Sequence, residues 1–238
     1  MKIEQKRALV LFAKDPVPGK VKTRLSPWLG DADILKIYRR FLEVGLETLA
    51  SVKDADCFVG IHPSMESGFF QEESRLPSGF RTFLQEGSDL GEKMRKAFQD
   101  RLREGYERVV IIGADSPSLP VAYIQQALDS RAPLVLGPAV DGGYYLIAMG
   151  PELVDVFGGI QWGGETVLRD TASRIAALGA DLELLPVWYD VDHPSDLKFL
   201  LTHLELMKGI GAKQRSLLEL LKQMGINQRT SEVEHENH

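Results

Sequence analysis

The chain of 238 residues has a single cysteine, Cys57, so it can form no internal disulfide framework. That scarcity suits a reducing compartment, and the cytoplasm is the expected location. Cys57 falls in an apolar strand pattern, which reads as a small buried hydrophobe and not a nucleophile. His193 has no second histidine at metal-ligand spacing, which argues against zinc. No window approaches a membrane span, and residues 1–7 are too polar for a secretory leader. Basic charge is short as well: 28 Lys and Arg stand against 34 Asp and Glu, a formal charge of −6. Such a balance excludes a surface built to wrap nucleic acid, although one local basic cluster can still hold a phosphate. Internal repeats, low-complexity tracts and linkers are lacking too. With 44% hydrophobic residues the chain can bury one sizeable core.

What is present is a set of short, continuous apolar runs. The central one is residues 109–118, Val-Val-Ile-Ile-Gly-Ala-Asp-Ser-Pro-Ser. Four consecutive β-branched residues read as a strand buried on both faces, which stops at Gly113. Asp115 follows at the carboxyl end, where ligands sit in open α/β sheets. Asp115 is therefore either a metal-binding carboxylate or the cap of an Asp-Ser-Pro turn.

In chain order, residues 8–13 read as the first buried strand, followed by a loop to Arg24 that fits no regular element. Helical spacing runs from an N-cap at Asp31 through Leu49. Strands are expected over 56–61 and 80–84, and a helix capped by Ser88 or Asp89 ends at Gly105. Pro120 opens another helix, and residues 134–136 form a strand stopped by Gly137-Pro138. Asp141-Gly142-Gly143 signals a tight turn, from which 144–149 returns as a local antiparallel strand. A helix over 166–178, a strand over 182–189 and helices over 194–207 and 214–224 complete the pattern. The apolar face of the last helix is expected to pack on its own sheet or on a second subunit of a homodimer. From about Asn227 disorder is expected. Strands alternating with helices predict a single-domain three-layer α/β/α sandwich with a mostly parallel sheet. Its body is placed at residues 1–209, and the last helix and tail at 210–238.

Four cations, Lys14, Lys20, Lys22 and Arg24, leave the first strand together with Gly19, whose freedom allows a backbone path close to a ligand. They form either a phosphate site, with Arg24 as a two-pronged donor, or a solvated charged loop. No Gly-Lys-Ser/Thr opens a helix there, so it is not a Walker loop. Asp190 and Asp192, two apart on one expected strand face, are candidates to complete a metal site with Asp115. The alternative for Asp192 is to cap the helix begun by Pro194. Asp141 with Gly142, Gly143 and Tyr144 offers either an acceptor-binding loop or an ordinary hairpin turn. Trp162 lies beside Gly163 and Gly164, and Glu165 is either a base or a residue favouring a helix N-terminus.

Four ordered motifs carry a resemblance. They are Pro18-Gly19-Lys20-Val21-Lys22-Thr23-Arg24-Leu25, Asp89-Leu90-Gly91-Glu92-Lys93-Met94, Gly113-Ala114-Asp115-Ser116-Pro117 and residues 136–145, Leu-Gly-Pro-Ala-Val-Asp-Gly-Gly-Tyr-Tyr. Together they resemble the bacterial GT-A-like transferases once labelled a domain of unknown function, also described as radical-SAM/selenodomain-associated transferases and arsenosugar-biosynthesis glycosyltransferases. The resemblance covers about residues 7–205. It implies a nucleotide-diphospho-sugar transferase fold. Lys14, Gly19, Lys20, Lys22, Thr23, Arg24, Asp89 and Gly113 would then contact nucleotide and phosphates, and Asp115 and Asp192 would hold Mg²⁺ or Mn²⁺. Gly142, Gly143, Tyr144 and Trp162 would line the acceptor side, with Asp141 and Glu165 catalytic. Two departures stand out. Asp115-Ser116-Pro117 replaces the Asp-x-Asp of many glycosyltransferases, and Trp162-Gly163-Gly164 stands where the family often has Trp-Ser-Thr.

The implied function is a metal-dependent transferase acting on a nucleotide sugar and a small-molecule acceptor. A nucleotidyltransferase joining an NTP to a phosphorylated or carboxylate acceptor is the second reading. The two departures support a third, a non-catalytic nucleotide-binding domain.

Overall fold

The computed structural model describes residues 6–72 and 75–229. Its strands are β1 (Arg7–Lys14), β2 (Asp56–His62), β3 (Arg81–Leu84), β4 (Arg108–Gly113), β5 (Leu134–Pro138), β6 (Tyr144–Met149) and β7 (Leu182–Leu184). The helices are α1 (Asp31–Ser51), α2 (Leu90–Arg103), α3 (Val121–Asp129), α4 (Val167–Leu178), α5 (Pro194–Leu206) and α6 (Ala212–Gln223). The strands form one sheet in the order β3-β2-β1-β4-β6-β5-β7. Only β6 runs against its neighbours β4 and β5, and the other pairings are parallel.

Alternation along each inner strand feeds two cores. Leu9, Leu11 and Ala13 of β1 pack toward α1, α3, α5 and α6, whereas Ala8 and Val10 pack toward α2 and α4. The α/β/α sandwich predicted from the sequence is thus the observed one. Because both faces of β1 and β4 are covered, their runs carry no polar break, and each buried Leu, Ile or Phe contributes about 1.5–3 kcal/mol. Cys57 is buried in the first core, and burial pushes its thiol up to about 11, as befits an inert hydrophobe.

The structure corrects several expectations. The first helix begins at Asp31 itself, with Gly30 as the capping residue, so Asp31 and Asp33 stabilise the helix dipole from the first turn. The loop after β1 is not wholly irregular, since Thr23–Leu25 make a 3₁₀ turn. Gly137-Pro138 do not end β5, because an irregularity between them keeps the ladder to β6 going. The strand expected over 182–189 shortens to Leu182–Leu184. Pro186 has no N–H to donate, and the segment beyond keeps only scattered bonds such as Trp188 N to Pro138 O (3.0 Å). The apolar face of α6 is covered within the chain, with Leu217 and Leu221 in the same core as α1 and α5. Residues 226–228 form a 3₁₀ turn with Ile226 buried, so the expected disorder does not begin at Asn227. The rest of that expectation lies outside the described residues. Among the described residues no helix is long and apolar enough to cross a membrane.

Candidate active site

The carboxyl ends of β1, β2 and β4 and the start of the antiparallel β6 share one edge of the sheet. At that edge the loop after β1 is held by its own residues. Asp15 is buried, and its carboxylate accepts from the Ser67 backbone N–H (2.9 Å) and the Ser67 hydroxyl. Val21 and Leu25 are buried on either side of Lys22. Lys22 itself adopts left-handed backbone, φ +46°, at a cost of roughly 1–2 kcal/mol for a residue with a Cβ.

That conformation turns the Lys22 side chain inward. Its Nζ lies 2.6 Å from Asp115 Oδ1 and 2.8 Å from Asp192 Oδ1, and Arg24 Nη1 lies 2.9 Å from Asp192 Oδ2. The Lys22 side chain is 3% exposed, whereas Asp115 is 46% exposed. Burial alone pulls the Lys22 ammonium down, but the attraction of Asp115 and Asp192 outweighs it and the net shift is upward. Burial raises the Asp192 carboxyl, and the charges of Lys22, Arg24 and His193 overcome it, leaving Asp192 below its usual range.

Two alternatives left open by the sequence close here. The backbone N–H groups at the start of α5, Asp192 N (3.0 Å) and His193 N (2.7 Å), are accepted by Asp196, so Asp192 is not the cap. Among the described residues the Asp115 carboxylate takes no backbone N–H, and the turn after it closes through Leu119 N to Ser116 O (3.0 Å). Asp190 and Asp192 do not lie on a strand at all, since β7 ends at Leu184. Asp192 turns to Lys22, and Asp190 accepts from the Ser116 hydroxyl.

Burial pushes the Asp190 carboxyl up to about 7; Ser116 and Lys22 oppose the rise, while Asp115 and Asp141 add to it. The folded chain therefore keeps a proton that the unfolded chain releases near pH 4. Stability is lost as pH rises from about 4 to about 7 and is flat beyond. Asp190→Asn, which keeps an acceptor for Ser116, is expected to stabilise the protein by about 1–3 kcal/mol at pH 8 and not at pH 4. Urea midpoints at the two values test this, and equal effects at both would contradict the assignment.

The remaining predicted residues divide into those that line the edge and those engaged in structure. Lys14, Lys20 and Thr23 are exposed, and Gly113 faces open space. Gly19, φ +69°, permits the turn that follows Pro18. Asp89 caps α2 by accepting from Glu92 N (2.8 Å), so its carboxylate already has a structural task. Asp141 Oδ1 accepts from Gly143 N (2.9 Å), closing the hairpin turn, yet its charge still reaches Asp190. Gly142 docks against the start of α4, donating nothing there but accepting from Leu168 N at 2.8 Å. Glu165 meets that turn through its backbone, while its side chain points to solvent. Tyr144 is packed edge-on to Trp162, with ring centroids 6.4 Å apart. Trp162 lies so close to Gly91 that a Cβ there would stand 2.5 Å from its ring. Gly91 in the Asp-Leu-Gly motif is thus explained by an aromatic 71 residues away, a signal that no local pattern carries.

The donor set can be tested against a hard divalent cation. Such ions commonly use one or two carboxylates plus substrate phosphates. Asp115 fits, being exposed, of the right type and free at its second oxygen among the described residues. Asp192 does not offer the same, because both its oxygens are engaged by Lys22 and Arg24. No group of three or more His, Cys, Asp or Glu that could hold a metal ion occurs among the described residues.

This architecture is that of the nucleotide-diphospho-sugar transferase fold. Residues 45–164 match the family described as "Uncharacterized protein conserved in bacteria (DUF2064)", and the chain belongs to that family. A solved structure from Desulfovibrio desulfuricans G20, a proposed nucleotide-diphospho-sugar transferase, is 33% identical over 94% of this chain and 98% of its own, with a TM-score of 0.84. A cytidylyltransferase from Leptospira borgpetersenii is 13% identical, covers 95% of this chain and 98% of its own, and reaches a TM-score of 0.56. For the 4-diphosphocytidyl-2C-methyl-D-erythritol synthase of Anaerococcus prevotii the identity is 12%, the coverage 84% and 96%, and the TM-score 0.54. The last two share the fold alone. No curated protein matches the chain.

Proposed function

We propose that this transferase uses a nucleotide-diphospho-sugar donor and moves the sugar to a small acceptor. The observation that carries the reading is the meeting of the basic loop with Asp115 at the carboxyl end of β4, held by Lys22. It is joined by the 33% identity to a proposed enzyme of that class. Lys14, Lys20 and the outer nitrogens of Arg24 offset the negative charge that grows on the diphosphate as it leaves. Charges fixed in advance in this way are commonly the largest catalytic contribution. Asp115, together with donor phosphates, would hold Mg²⁺ or Mn²⁺, which when bound supplies further charge neutralisation to the leaving group. Asp141, at the turn before β6, orients an acceptor hydroxyl or takes its proton, and Trp162 supplies a flat apolar wall.

A nucleotidyl transfer reading draws on one observation: Asp192 lies a single ammonium away from Asp115, as a late carboxylate completing a triphosphate site would. One calorimetric series separates the two. UDP-, GDP-, ADP- and CDP-sugars and the four NTPs are titrated with Mn²⁺ and with EDTA, into wild type, Asp115→Ala and Asp115→Asn. One nucleotide sugar is expected to bind, at least about tenfold more weakly without metal or without the Asp115 carboxylate. Selective binding of an NTP transfers the assignment to nucleotidyl transfer. Binding indifferent to both metal and Asp115 removes the metal role altogether.

A further inference from the structure

The cationic loop is not the only positive charge at this edge, and part of its charge is already committed. Lys22 is neutralised by two carboxylates and Arg24 by one. A second group of basic side chains stands on the other side of β1. Lys14 and His62 are register partners on β1 and β2. Each lies four residues beyond a residue of the α2-side core, Val10 and Phe58 respectively, so by the two-residue period both project toward α2. From the first turn of α2, Lys93 Nζ comes within 3.4 Å of His62 Nε2. An ammonium can only donate, so His62 Nε2 is the acceptor and the ring proton sits on Nδ1, where it is a donor.

Like charges do not gather without cause. Burial first, then Lys93 and Lys14, lower the His62 pKa. Among the described residues neither Lys14 nor Lys93 is in ion-pair contact with a carboxylate. The adjacent carboxylates in sequence are engaged elsewhere, Asp15 with Ser67 N at 2.9 Å and Glu92 with Ser88 N at 2.8 Å. Two ammonium groups thus flank one imidazole, and neither is paired with a carboxylate among the described residues.

We propose that Lys14, His62 and Lys93 form a phosphate-binding subsite at the β1–β2 edge, taking a phosphoryl group of the nucleotide donor. It rests on the donor reading above only for the carrier of that phosphate. Lys22 then serves to hold the carboxylates, and Lys14 and Lys93 hold the substrate. The two lysines act as point charges and His62 contributes a directed N–H.

The test titrates pyrophosphate, inorganic phosphate and nucleoside diphosphates into wild type, Lys93→Met and Lys93→Arg at one pH, with the His62 ring resonances followed by NMR. Lys93→Met is expected to weaken pyrophosphate or nucleoside diphosphate about tenfold, and Lys93→Arg to recover most of the loss. The His62 resonances are expected to move with ligand in the wild type. Unchanged affinity in Lys93→Met, or His62 resonances indifferent to ligand, would overturn the subsite. Lys93-dependent pyrophosphate binding in a chain that binds no nucleoside diphosphate upholds the subsite and sinks the donor reading. Nucleotide binding indifferent to Lys93 does the reverse.

Discussion

Lys22→Met is expected to lower the affinity for donor and the turnover by at least about a hundredfold, and to destabilise the fold by about 2–4 kcal/mol. The substitution keeps an unbranched apolar stem, with sulfur in place of one methylene, and removes the ammonium. Asp192 retains Arg24, but Asp115 is left with no cation among the described residues, pointing at the same spot as a second carboxylate. The upper figure belongs to fully buried pairs, and the partial exposure of Asp115 favours the lower end. The loss has a defined pH dependence. Asp192 titrates below its usual range in the folded chain, so its share of stability is present above about pH 4 and fades as pH falls through the folded value. Wild type and Lys22→Met should therefore differ most near neutrality and converge as pH falls below about 4. Urea denaturation across that range, beside nucleotide-sugar titration, measures both effects. A variant as stable as wild type at pH 7 would mean that the ammonium does not hold the two carboxylates.

Gly142→Ala is expected to be the most damaging change on the acceptor side, costing about 3 kcal/mol or more and taking turnover with it. Gly142 sits at φ +88°, and a Cβ would fall on the Glu165 carbonyl oxygen, with the carbonyl carbon at 2.8 Å. Backbone cannot step aside as a side-chain tip can, so the hairpin turn must lift from the start of α4. The informative control is Gly163→Ala. Gly163 has nearly the same φ, +86°, but nothing within 4 Å of its Cβ position. It should lose only the conformational cost, about 1 kcal/mol. Paired unfolding curves decide the matter. If the two variants lose equally, crowding at Glu165 is irrelevant and the positive φ accounts for everything.

The sequence displayed the sheet well because its inner strands are buried on both faces and therefore written as unbroken apolar runs. The turn at Asp141-Gly142-Gly143 gave away the antiparallel β6 but not its position between β4 and β5, since that depends on pairing across the whole chain. Residues 182–189 look like one strand by composition. Only in the fold does it become plain that Pro186 and the edge position leave them few partners. The site was legible by region and less so by role. Lys22 carries the same charge as its loop neighbours, and nothing local shows that its partner Asp192 lies 170 residues away. The same holds for Lys93 and His62, separated by 31 residues. Asp192 and Asp196 both precede or open the same helix, and choosing which one caps it requires the direction of each carboxylate.

The reversed β6 has a consequence for how this architecture diversifies. In parallel strands the segment that meets the cleft follows the strand, so any lengthening also displaces the helix that comes next. Here the cleft meets residues that come before β6, in a hairpin whose other arm is β5, and no helix intervenes. Residues 139–143 thus sit in a turn that no helix follows directly, with Gly142 seated on the Glu165 backbone as the joint to residues 158–166. Trp162 closes the other side of that segment against Gly91 of α2, so the same stretch ties the hairpin end of the cleft to the half built on β1, β2 and β4.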